Sequence, residues 1–404
     1  MIRILDQYFA TQQYIETKSA YGLLKHYQSP LNNYKFVNDA TQPVIILLHI
    51  DVASPDLDKE IYDEIKRRYR QNKLNKILID TSMEDFVQDN FFTITSRLEM
   101  LGIDPDDISV ITGQNNVPMF QKDFRVFYNT FNVNLFELSY YYFIHEYKLI
   151  NEVLKPIKPR ILTTHAVSYI KNPRKMRRLL HAYYCLKGYD SKMINSWHYQ
   201  NVYNQGDKRD LCELGVIKDT DDWEKIKTTL EGLVCYDDDV QGKGEWIVDE
   251  NVVQHAGICF PNETHHSMDH RTKLFLPVIM DQFIHLKQIP TYYRYFLTEK
   301  TYKNFAYGLP FVNLGIPGSP AVLGSYGYKS WERMMGIDSQ AESVGDAFLD
   351  AFTAMDKIFN MSLDDLSDIV NSEKSLDYLK HNRERFLEQN EFKRLCNVLD
   401  TIYR

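Results

Sequence analysis

The chain has 404 residues, with 44% hydrophobic residues, 25% charged residues and a formal net charge of −8. This composition is typical of globular proteins and excludes disordered, collagen-like and coiled-coil chains, while the acidic balance excludes a uniformly basic nucleic-acid-binding surface. Because a single hydrophobic core stops growing at about 250–300 residues, the length predicts two domains.

The first 150 residues predict strands and helices in alternation. The start of the chain is expected to form a strand rather than a signal peptide, because Asp6 interrupts any apolar segment. Three later runs are mostly apolar, which is typical of parallel strands that are buried on both faces. The alternation predicts an α/β fold with a mostly parallel sheet. The predicted strands are residues 1–6, 44–50, 76–80 and 108–112, and the predicted helices are residues 58–70 and 131–150.

The second half continues this alternation after a pair of prolines. Pro156 and Pro159 disfavour both helix and strand, so we expect a linker there. We expect α/β domains over residues 1–157 and 158–338, and a helical tail over residues 339–404 that packs on them. The predicted strands are residues 160–164, 191–197, 254–260, 292–297 and 311–314, and the predicted helices are residues 172–187, 277–286 and 299–307.

The segment from residue 296 to residue 315 has a strand–helix–strand pattern with strong local signals. Thr298 is a good N-cap, and Glu299 follows where the helix dipole favours a carboxylate. Gly308 is expected to end the helix, and Pro310 prevents its continuation. In open α/β sheets, ligands bind at the carboxyl ends of strands, which is where this helix would begin.

The side chains around this helix start suit a nucleotide. Its free N–H groups attract phosphate, and Lys300 and Lys303 add positive charge. The Glu299 carboxylate can accept hydrogen bonds from a ribose diol, and Phe296 can stack on a base. An ordinary surface helix is the alternative, because capping and the helix dipole favour the same residue types.

This segment resembles the donor-binding motif of the family-10 α-1,3-fucosyltransferases. Further segments, which occur in the same order along the chain, resemble uncharacterised bacterial and phage glycosyltransferase-like proteins. All the matching segments together cover roughly residues 160 to 330. The matches to the fucosyltransferase motif are Thr298-Glu299-Lys300, Lys303-Asn304, Pro310, Val312 and Gly315. The further matches are Pro173-Arg174-Lys175-Met176-Arg177, Asn262-Glu263-Thr264, Gly315-Ile316-Pro317-Gly318 and Gly327-Tyr328-Lys329.

The resemblance implies a GT-B-like fold, in which two Rossmann-like domains face each other across a cleft, followed by the helical C-terminal tail. The first domain would lie on the acceptor side and the second on the nucleotide-sugar donor side. Glu299 would bind the donor ribose, Lys300 the pyrophosphate, and Arg174 or Arg177 the phosphates. A solvated helix face is the alternative for the two arginines, although cations are unfavourable near a helix N-terminus and a bound anion would help to explain them. The candidate donor-binding residues are Arg174, Arg177, Glu263, Phe296, Glu299, Lys300 and Lys303.

An inverting transfer needs a base that deprotonates the acceptor hydroxyl. His49 and Asp51 stand at the end of the predicted strand 44–50, and Asp80 ends the next strand in the same way. Because ligands bind at such strand ends, His49 and Asp51 are the catalytic candidates. A capping or turn carboxylate is the alternative for Asp51, and a retaining reaction would not need this base.

Two clusters contain metal-binding residue types. Asp237-Asp238-Asp239 follows an apolar run, as do the carboxylates with which D-x-D glycosyltransferases hold a divalent metal, and an acidic loop is the alternative. The second cluster fits no standard zinc spacing, so its members are expected to pack or to contact substrate. We assign no metal ligand and expect no obligatory cofactor. Binding of a divalent metal is kept as an alternative. The second cluster consists of His255, Cys259, His265, His266 and His270.

Two basic runs, residues 66–70 and 171–178, each have a tyrosine in or close to them and could contact a nucleic-acid backbone. A solvated helix face is the alternative for the first run. If the chain comes from a phage, as the resemblance suggests, the acceptor could be a hydroxylated base that is flipped out of DNA.

The sequence therefore predicts a glycosyltransferase that moves a sugar from a nucleotide-sugar co-substrate to an acceptor hydroxyl, on a glycan or on a base in phage DNA. No membrane span is expected, and the five scattered cysteines indicate reduced thiols, so we expect a cytoplasmic protein, in the host cytoplasm if a phage encodes it. The alternatives are a non-catalytic nucleotide-binding or structural protein on the same fold, and a metal-dependent D-x-D glycosyltransferase.

Overall fold

A computed structural model describes residues 1–10, 19–26, 33–50, 57–81, 88–113, 128–146, 148–170, 175–197, 205–231, 256–260, 297, 299–314 and 318–404. The strands are Ile2–Leu5 (β1), Phe9–Ala10 (β2), Tyr34–Val37 (β3), Ile45–His49 (β4), Lys76–Thr81 (β5), Ile108–Thr112 (β6), Asn129–Asn132 (β7), Thr164–Ile170 (β8), Met193–Trp197 (β9) and Ala256–Phe260 (β10). The helices are Ala20–His26 (α1), Lys59–Tyr69 (α2), Gln88–Met100 (α3), Leu135–Glu146 (α4), Ile150–Val153 (α5), Lys175–Lys187 (α6), Gln205–Glu213 (α7), Thr220–Glu231 (α8), Glu299–Tyr307 (α9), Ser319–Ser325 (α10), Val344–Phe359 (α11), Leu363–Asn371 (α12), Glu373–Leu387 (α13) and Asn390–Tyr403 (α14).

The first sheet has seven strands in the described part of the chain, in the order β3-β1-β4-β5-β6-β7, with β2 also pairing with β4. Every pairing in it is parallel. The central strands β4, β5 and β6 are buried almost throughout, which explains why most of their residues are apolar. The predicted parallel α/β sheet and its strands at the start of the chain and near residues 45, 76 and 108 are confirmed.

One face of this sheet packs against helices that connect its strands. Alternate residues of the central strands point into a core that they share with α2 and α3. Each fully buried aliphatic side chain in such a core contributes roughly 1.5–3 kcal/mol. The core includes Ile46, Leu48, Tyr62, Ile65, Ile77, Ile79, Ile94, Leu98, Ile108 and Val110.

The helix predicted over residues 131–150 is wrong at its start. Asn129–Asn132 form the edge strand β7, and helix α4 begins at Leu135. Asn134 caps this helix, because its Oδ1 accepts a hydrogen bond from Phe136 N at 3.0 Å. The cap fixes the helix start, and the residues before it pair with β6 instead.

The second sheet has three described strands in the order β10-β8-β9, and both pairings are parallel. Helix α6 connects β8 to β9, and α7 and α8 lie between β9 and β10 in the sequence. These helices and α11 share a core with the sheet, as the parallel connections of an α/β unit require. Members of this core are Ala166, Leu179, Ala182, Trp223, Ile226, Ile258, Phe348 and Met355.

Two strands predicted in the second half are wrong in position or extent. Arg160 N donates to Asn371 Oδ1 at 2.7 Å and Arg160 O accepts from Asn371 Nδ2 at 2.9 Å, so a side chain of α12 occupies the groups that a neighbouring strand would use. The strand β8 accordingly begins at Thr164. At residues 311–314, Phe311 alone forms a strand-type bridge. The predicted helix 277–286 and residues 292–296 lie outside the described residues.

The chain beyond residue 339 is helical, as predicted, and contains α11 to α14. Serines begin two of these helices: Ser343 Oγ accepts from Asp346 N at 3.1 Å, and Ser362 Oγ accepts from Asp365 N at 3.0 Å. Across the described segments, no helix has the length and apolar character that a membrane crossing requires.

The contacts divide the chain into two compact units. The first contains residues 1–149, 296–299 and 388–404, and the second contains residues 150–295 and 300–387. The last helix, α14, thus belongs to the first unit, and the chain passes from the first unit to the second within the first turn of α9. Residues 156–159, where the sequence predicts a linker, fall in the second unit.

Candidate functional site

A buried histidine–aspartate pair lies at the carboxyl ends of two neighbouring strands of the first sheet. His49 ends β4, and Asp80 is the penultimate residue of β5. His49 Nδ1 lies 3.2 Å from Asp80 Oδ2, and the two side chains are 1% and 2% exposed. The same Oδ2 accepts a hydrogen bond from Ala20 N, at the start of α1, at 2.7 Å. A carboxylate in this place is satisfied when the imidazole carries its proton on Nδ1.

This tautomer gives His49 the chemistry of a general base. Nε2 of His49 is buried and has no hydrogen-bond partner among the described residues. With the proton on Nδ1, Nε2 keeps a lone pair that can accept a proton from a hydroxyl. The Asp80 carboxylate behind the ring would stabilise the imidazolium that forms.

The topology of the sheet places this pair where a ligand is expected. β1 pairs with β3 on one side and with β4 on the other, so the strand order reverses between β1 and β4. Ala10 of β2 pairs with His49 at the carboxyl end of this switch point. Ligands of open parallel sheets bind at such places. Asp51, the other catalytic candidate, lies outside the described residues, as do the segments that follow β2, β4, β5 and β6.

The strand order of the second sheet also reverses, between β8 and β10. These two strands are parallel neighbours, with Phe260 of β10 paired to Ser168 of β8. In the sequence, Arg174 and Arg177 follow β8, and Glu263 follows β10. Arg174 and Glu263 lie outside the described residues. For Arg177 the structure describes the backbone, which lies in the first turn of α6. Three candidate donor residues therefore follow neighbouring strand ends at a second switch point.

Helix α9 has the predicted bounds and carries three candidate donor residues. Glu299 and Lys300 begin it, and the structure describes their backbone, while Phe296 lies outside the described residues. Lys303 is 4% exposed and has partners in the fold, so its ammonium group lies inside the protein rather than on an open surface.

Buried polar groups hold the backbone at both ends of α9. Ahead of the helix, Asn134 Nδ2 donates to Leu297 O at 2.9 Å. At its end, Arg383 Nη2 donates to Tyr307 O at 3.0 Å, and burial lowers the pKa of Arg383 to about 10. Gly308 adopts φ 61°, a left-handed conformation that favours glycine, and ends the helix as predicted.

A buried carboxyl group lies between the end of the 311–314 segment and α10. Glu332 Oε1 accepts from Asn313 N at 2.5 Å and from Ser319 Oγ at 3.3 Å, and Oε2 accepts from Ser330 Oγ at 3.3 Å. Burial raises the pKa of Glu332 to about 7, although these three hydrogen bonds lower it. The group therefore changes its charge near neutral pH.

The basic run at residues 66–70 lies at the amino ends of the strands of the first sheet, whereas His49 lies at their carboxyl ends. This run ends α2, which leads to the amino end of β5. Arg67 Nε and Arg68 Nε donate to Glu64 at 2.6 and 2.8 Å, and Arg70 Nη2 donates to Leu101 O at 3.3 Å. These contacts agree with the solvated helix face.

The second basic run, residues 171–178, ends in an arginine that is paired inside the protein. Arg178 Nε and Nη2 donate to the two carboxylate oxygens of Asp207 at 2.8 and 2.9 Å. The side chain of Asp207 is 1% exposed, so this bidentate pair joins α6 to α7 rather than offering a cation to solvent.

In the part of the chain that the structure describes, no three histidine, cysteine, aspartate or glutamate side chains are grouped so that they could hold a metal. The triplet Asp237–Asp239 and the histidines 255, 265, 266 and 270 lie outside the described residues, and Cys259 belongs to β10. Cys185, Cys212 and Cys396 are free thiols.

Sequence reasoning missed Asn134, although a local signal was present. Asn134 is followed three residues later by Glu137, a spacing that marks a helix N-terminus. The contact between His49 and Asp80 carries no local signal, because it depends on the register between two strands that are 31 residues apart.

No protein-family model, curated protein or solved structure matches this chain.

Proposed function

We propose that this protein is a glycosyltransferase that moves a sugar from a nucleotide-sugar donor to an acceptor hydroxyl. The observation that carries the proposal is the buried His49–Asp80 pair at the carboxyl edge of a parallel sheet, beside its switch point. The GT-B architecture implied by the resemblance is part of this proposal, and the two parallel sheets support it.

In the proposed reaction, His49 Nε2 takes the proton of the acceptor hydroxyl. The acceptor oxygen forms a bond to the anomeric carbon of the sugar, and the bond from that carbon to the diphosphate oxygen breaks. The electron pair leaves with the nucleoside diphosphate. Asp80 keeps the imidazole in the reactive tautomer and stabilises its positive charge, so the sugar would be transferred with inversion.

The donor side of the proposal uses cations and helix N–H groups. Lys300 and the first turn of the nine-residue helix α9 would stabilise the departing diphosphate, with Arg174 and Arg177 as further phosphate contacts. Glu299 would bind the ribose. Because fixed positive charge can stabilise this leaving group, the proposal needs no obligatory metal, and a loss of transfer on chelation would favour Asp237–Asp239 instead.

The test has two steps. Thermal unfolding with UDP, GDP, CDP and dTDP, and with their sugars, detects binding, because a ligand that binds the folded state raises Tm. Released nucleotide is then measured with glycan acceptors and with DNA that contains hydroxymethylated bases. Lys300→Ala is expected to abolish transfer and donor binding and to leave Tm without ligand nearly unchanged. Lys227→Ala, an exposed lysine that pairs with Glu224 on α8, is the matched control and should transfer normally.

A second candidate is a non-catalytic nucleotide-binding protein on the same fold. The near-complete burial of His49 and Asp80 favours it, because such a pair can also serve to hold the start of α1. Binding of a nucleotide without turnover of any nucleotide sugar would support this candidate. Normal turnover by Lys300→Ala would contradict the proposed donor site.

A further inference from the structure

Asn134 is a fully buried asparagine, and three of its polar groups each bind a different segment of the chain. Its backbone N donates to Glu391 Oε2 at 2.8 Å, and its Nδ2 donates to Leu297 O at 2.9 Å. Its Oδ1 accepts from Phe136 N at 3.0 Å and so caps α4. All of these contacts lie within the first unit. The start of α4, the first turn of α14 and the backbone ahead of α9 are therefore fixed to one another.

Leu297 stands two residues before Glu299, the first residue of α9. Residues 296–299 belong to the first unit, while residues 300–307 belong to the second. In the second unit, Arg383 and Arg160 donate to the carbonyl oxygens of Tyr307 and Gly308 at the end of the helix. The bond from Asn134 to Leu297 thus holds the backbone of the first unit two residues before Glu299, which the proposed donor site uses.

We propose that Asn134 is a positioning residue for the donor site and that Glu391 fixes its backbone. This inference rests on the proposed function. It predicts that loss of the bond to Leu297 displaces the backbone of Glu299 and Lys300, which meet the ribose and the diphosphate. A displacement of about 1 Å in a positioning contact can lower a rate by on the order of 10²-fold. A residue that merely stabilised the fold would lower Tm without a selective effect on the donor.

Asn134→Ser is the sharpest variant. A serine hydroxyl can still cap α4, because serine and asparagine are comparably good N-caps, but it is too short to reach Leu297 O. Asn134→Ala removes the cap as well and shows the effect of losing both bonds. The matched control is Asn75→Ser: Asn75 is also fully buried, accepts from Val44 N at 3.0 Å and donates to Ala40 O at 3.1 Å. Asn75 precedes β5 and so lies at the amino ends of the strands of the first sheet, whereas Asn134 follows the carboxyl end of β7.

The experiment uses the full chain and whichever of UDP, GDP, CDP and dTDP raises the Tm of the wild-type protein. Asn134→Ser is expected to raise the Kd for that nucleotide and the donor KM by on the order of 10-fold or more, and to leave the acceptor KM unchanged. Asn75→Ser should lower Tm and keep the donor Kd within about twofold of wild type.

Two negative results have different meanings. If the wild type binds a nucleotide and both serine variants bind it equally well, Asn134 is a structural residue and the inference is overturned while the proposed function stands. If the wild type neither binds a nucleotide nor turns over a nucleotide sugar, the proposed function itself fails, and the inference fails with it.

Discussion

Asp80 and His49 are joined through a single carboxylate oxygen, Oδ2, which lies 3.2 Å from His49 Nδ1 and 2.7 Å from Ala20 N. The neighbouring strands β4 and β5 bring the two residues together, since His49 and Asp80 are paired in the parallel register. One acidic group thus orients the imidazole and holds the first residue of α1. Asp80 therefore contributes both hydrogen bonds and a negative charge, and a substitution that keeps the hydrogen bonds can test the charge by itself.

Asp80→Asn tests the charge. Because Oδ2 accepts from Ala20 N and faces His49 Nδ1, the amide oxygen of asparagine can occupy its place and keep these two contacts. The imidazolium would lose its counter-charge, so we expect kcat for sugar transfer to fall by on the order of 10² to 10⁴, the span of general-base catalysis. Single-turnover measurements of released nucleotide at neutral pH check this.

The matched control for that variant is Asp107→Asn. Asp107 also accepts two hydrogen bonds, here from the side chains of Tyr69 and Lys76, but it precedes β6 and lies at the amino ends of the strands of the same sheet. It should lose stability and retain kcat. Equal kcat in Asp80→Asn and in the wild type would show that His49 is not the base.

Glu332 predicts a pH dependence of stability in the second unit. Burial raises its pKa to about 7, from 4.5 in the unfolded chain, so between these values the folded state binds a proton that the unfolded state does not. The contribution is fully present below pH 4.5 and is lost as the pH rises to about 7. With one pKa unit equal to about 1.4 kcal/mol, the loss is roughly 3 kcal/mol. Glu332→Gln cannot ionise, so its free energy of unfolding should rise relative to wild type by this amount between pH 4.5 and pH 8.

Urea unfolding of both proteins across this pH range measures the difference, and Glu64→Gln is the control. Hydrogen bonds from Arg67, and then from Arg68, lower the pKa of Glu64 to about 2, so Glu64 is already ionised at pH 4.5 in the folded state. Its variant should differ from wild type by a nearly constant amount from pH 5 upward. If the free energy of unfolding of Glu332→Gln also differed from wild type by a constant amount across this pH range, the pKa of Glu332 would not be raised by folding.

The Arg178–Asp207 pair predicts that breaking a buried ion pair lowers the free energy of unfolding much more than breaking an exposed ion pair does. Asp207→Ala would leave the guanidinium of Arg178, which is 14% exposed, without its bidentate partner. Removing one member of a buried pair costs roughly 3–5 kcal/mol, whereas removing one member of a solvent-exposed pair costs much less because water screens the charges. Urea unfolding should therefore separate Asp207→Ala from Arg67→Ala, whose side chain is 54% exposed. Similar losses in both variants would contradict a structural role for the buried pair.

The sequence was sufficient for the strands that are buried on both faces, because such strands are mostly apolar and carry little competing signal. The sequence was insufficient where a polar side chain forms the hydrogen bond that a backbone group would otherwise make within a helix or strand. The aromatic run after Phe131 looked helical throughout, but the cap at Asn134 starts the helix later. The strand expected at Arg160 was displaced because Asn371 satisfies its backbone from 211 residues away.

The candidate site was predictable in part for the same reason. That His49 ends a buried strand can be read from the local pattern, and the position of α9 follows from its caps. The partners of these residues cannot be read in this way. Asp80 meets His49 through strand register, and Asn134 is 163 residues from Leu297 and 257 from Glu391 in the sequence. Such contacts depend on the tertiary fold, to which a single sequence gives no direct access.

The position of the first basic run makes a prediction about the acceptor. Arg67 and Arg70 lie at the end of α2, at the amino edge of the sheet, and His49 lies at the carboxyl edge. If DNA reaches the proposed base, these arginines are on the wrong side of the sheet to contact its backbone. The double variant Arg67→Gln, Arg70→Gln should therefore leave sugar transfer to hydroxymethylated duplex DNA unchanged at low salt.

The salt dependence of binding makes this test sharper. Each phosphate contact that is lost reduces the slope of log K against log salt concentration by about 0.9. Fluorescence anisotropy with labelled duplex DNA between low and moderate salt should give the same slope for the double variant and the wild type. A slope that is shallower by about 2 would show that both arginines contact phosphate, and would move the DNA-binding surface to the edge of the sheet that is opposite His49.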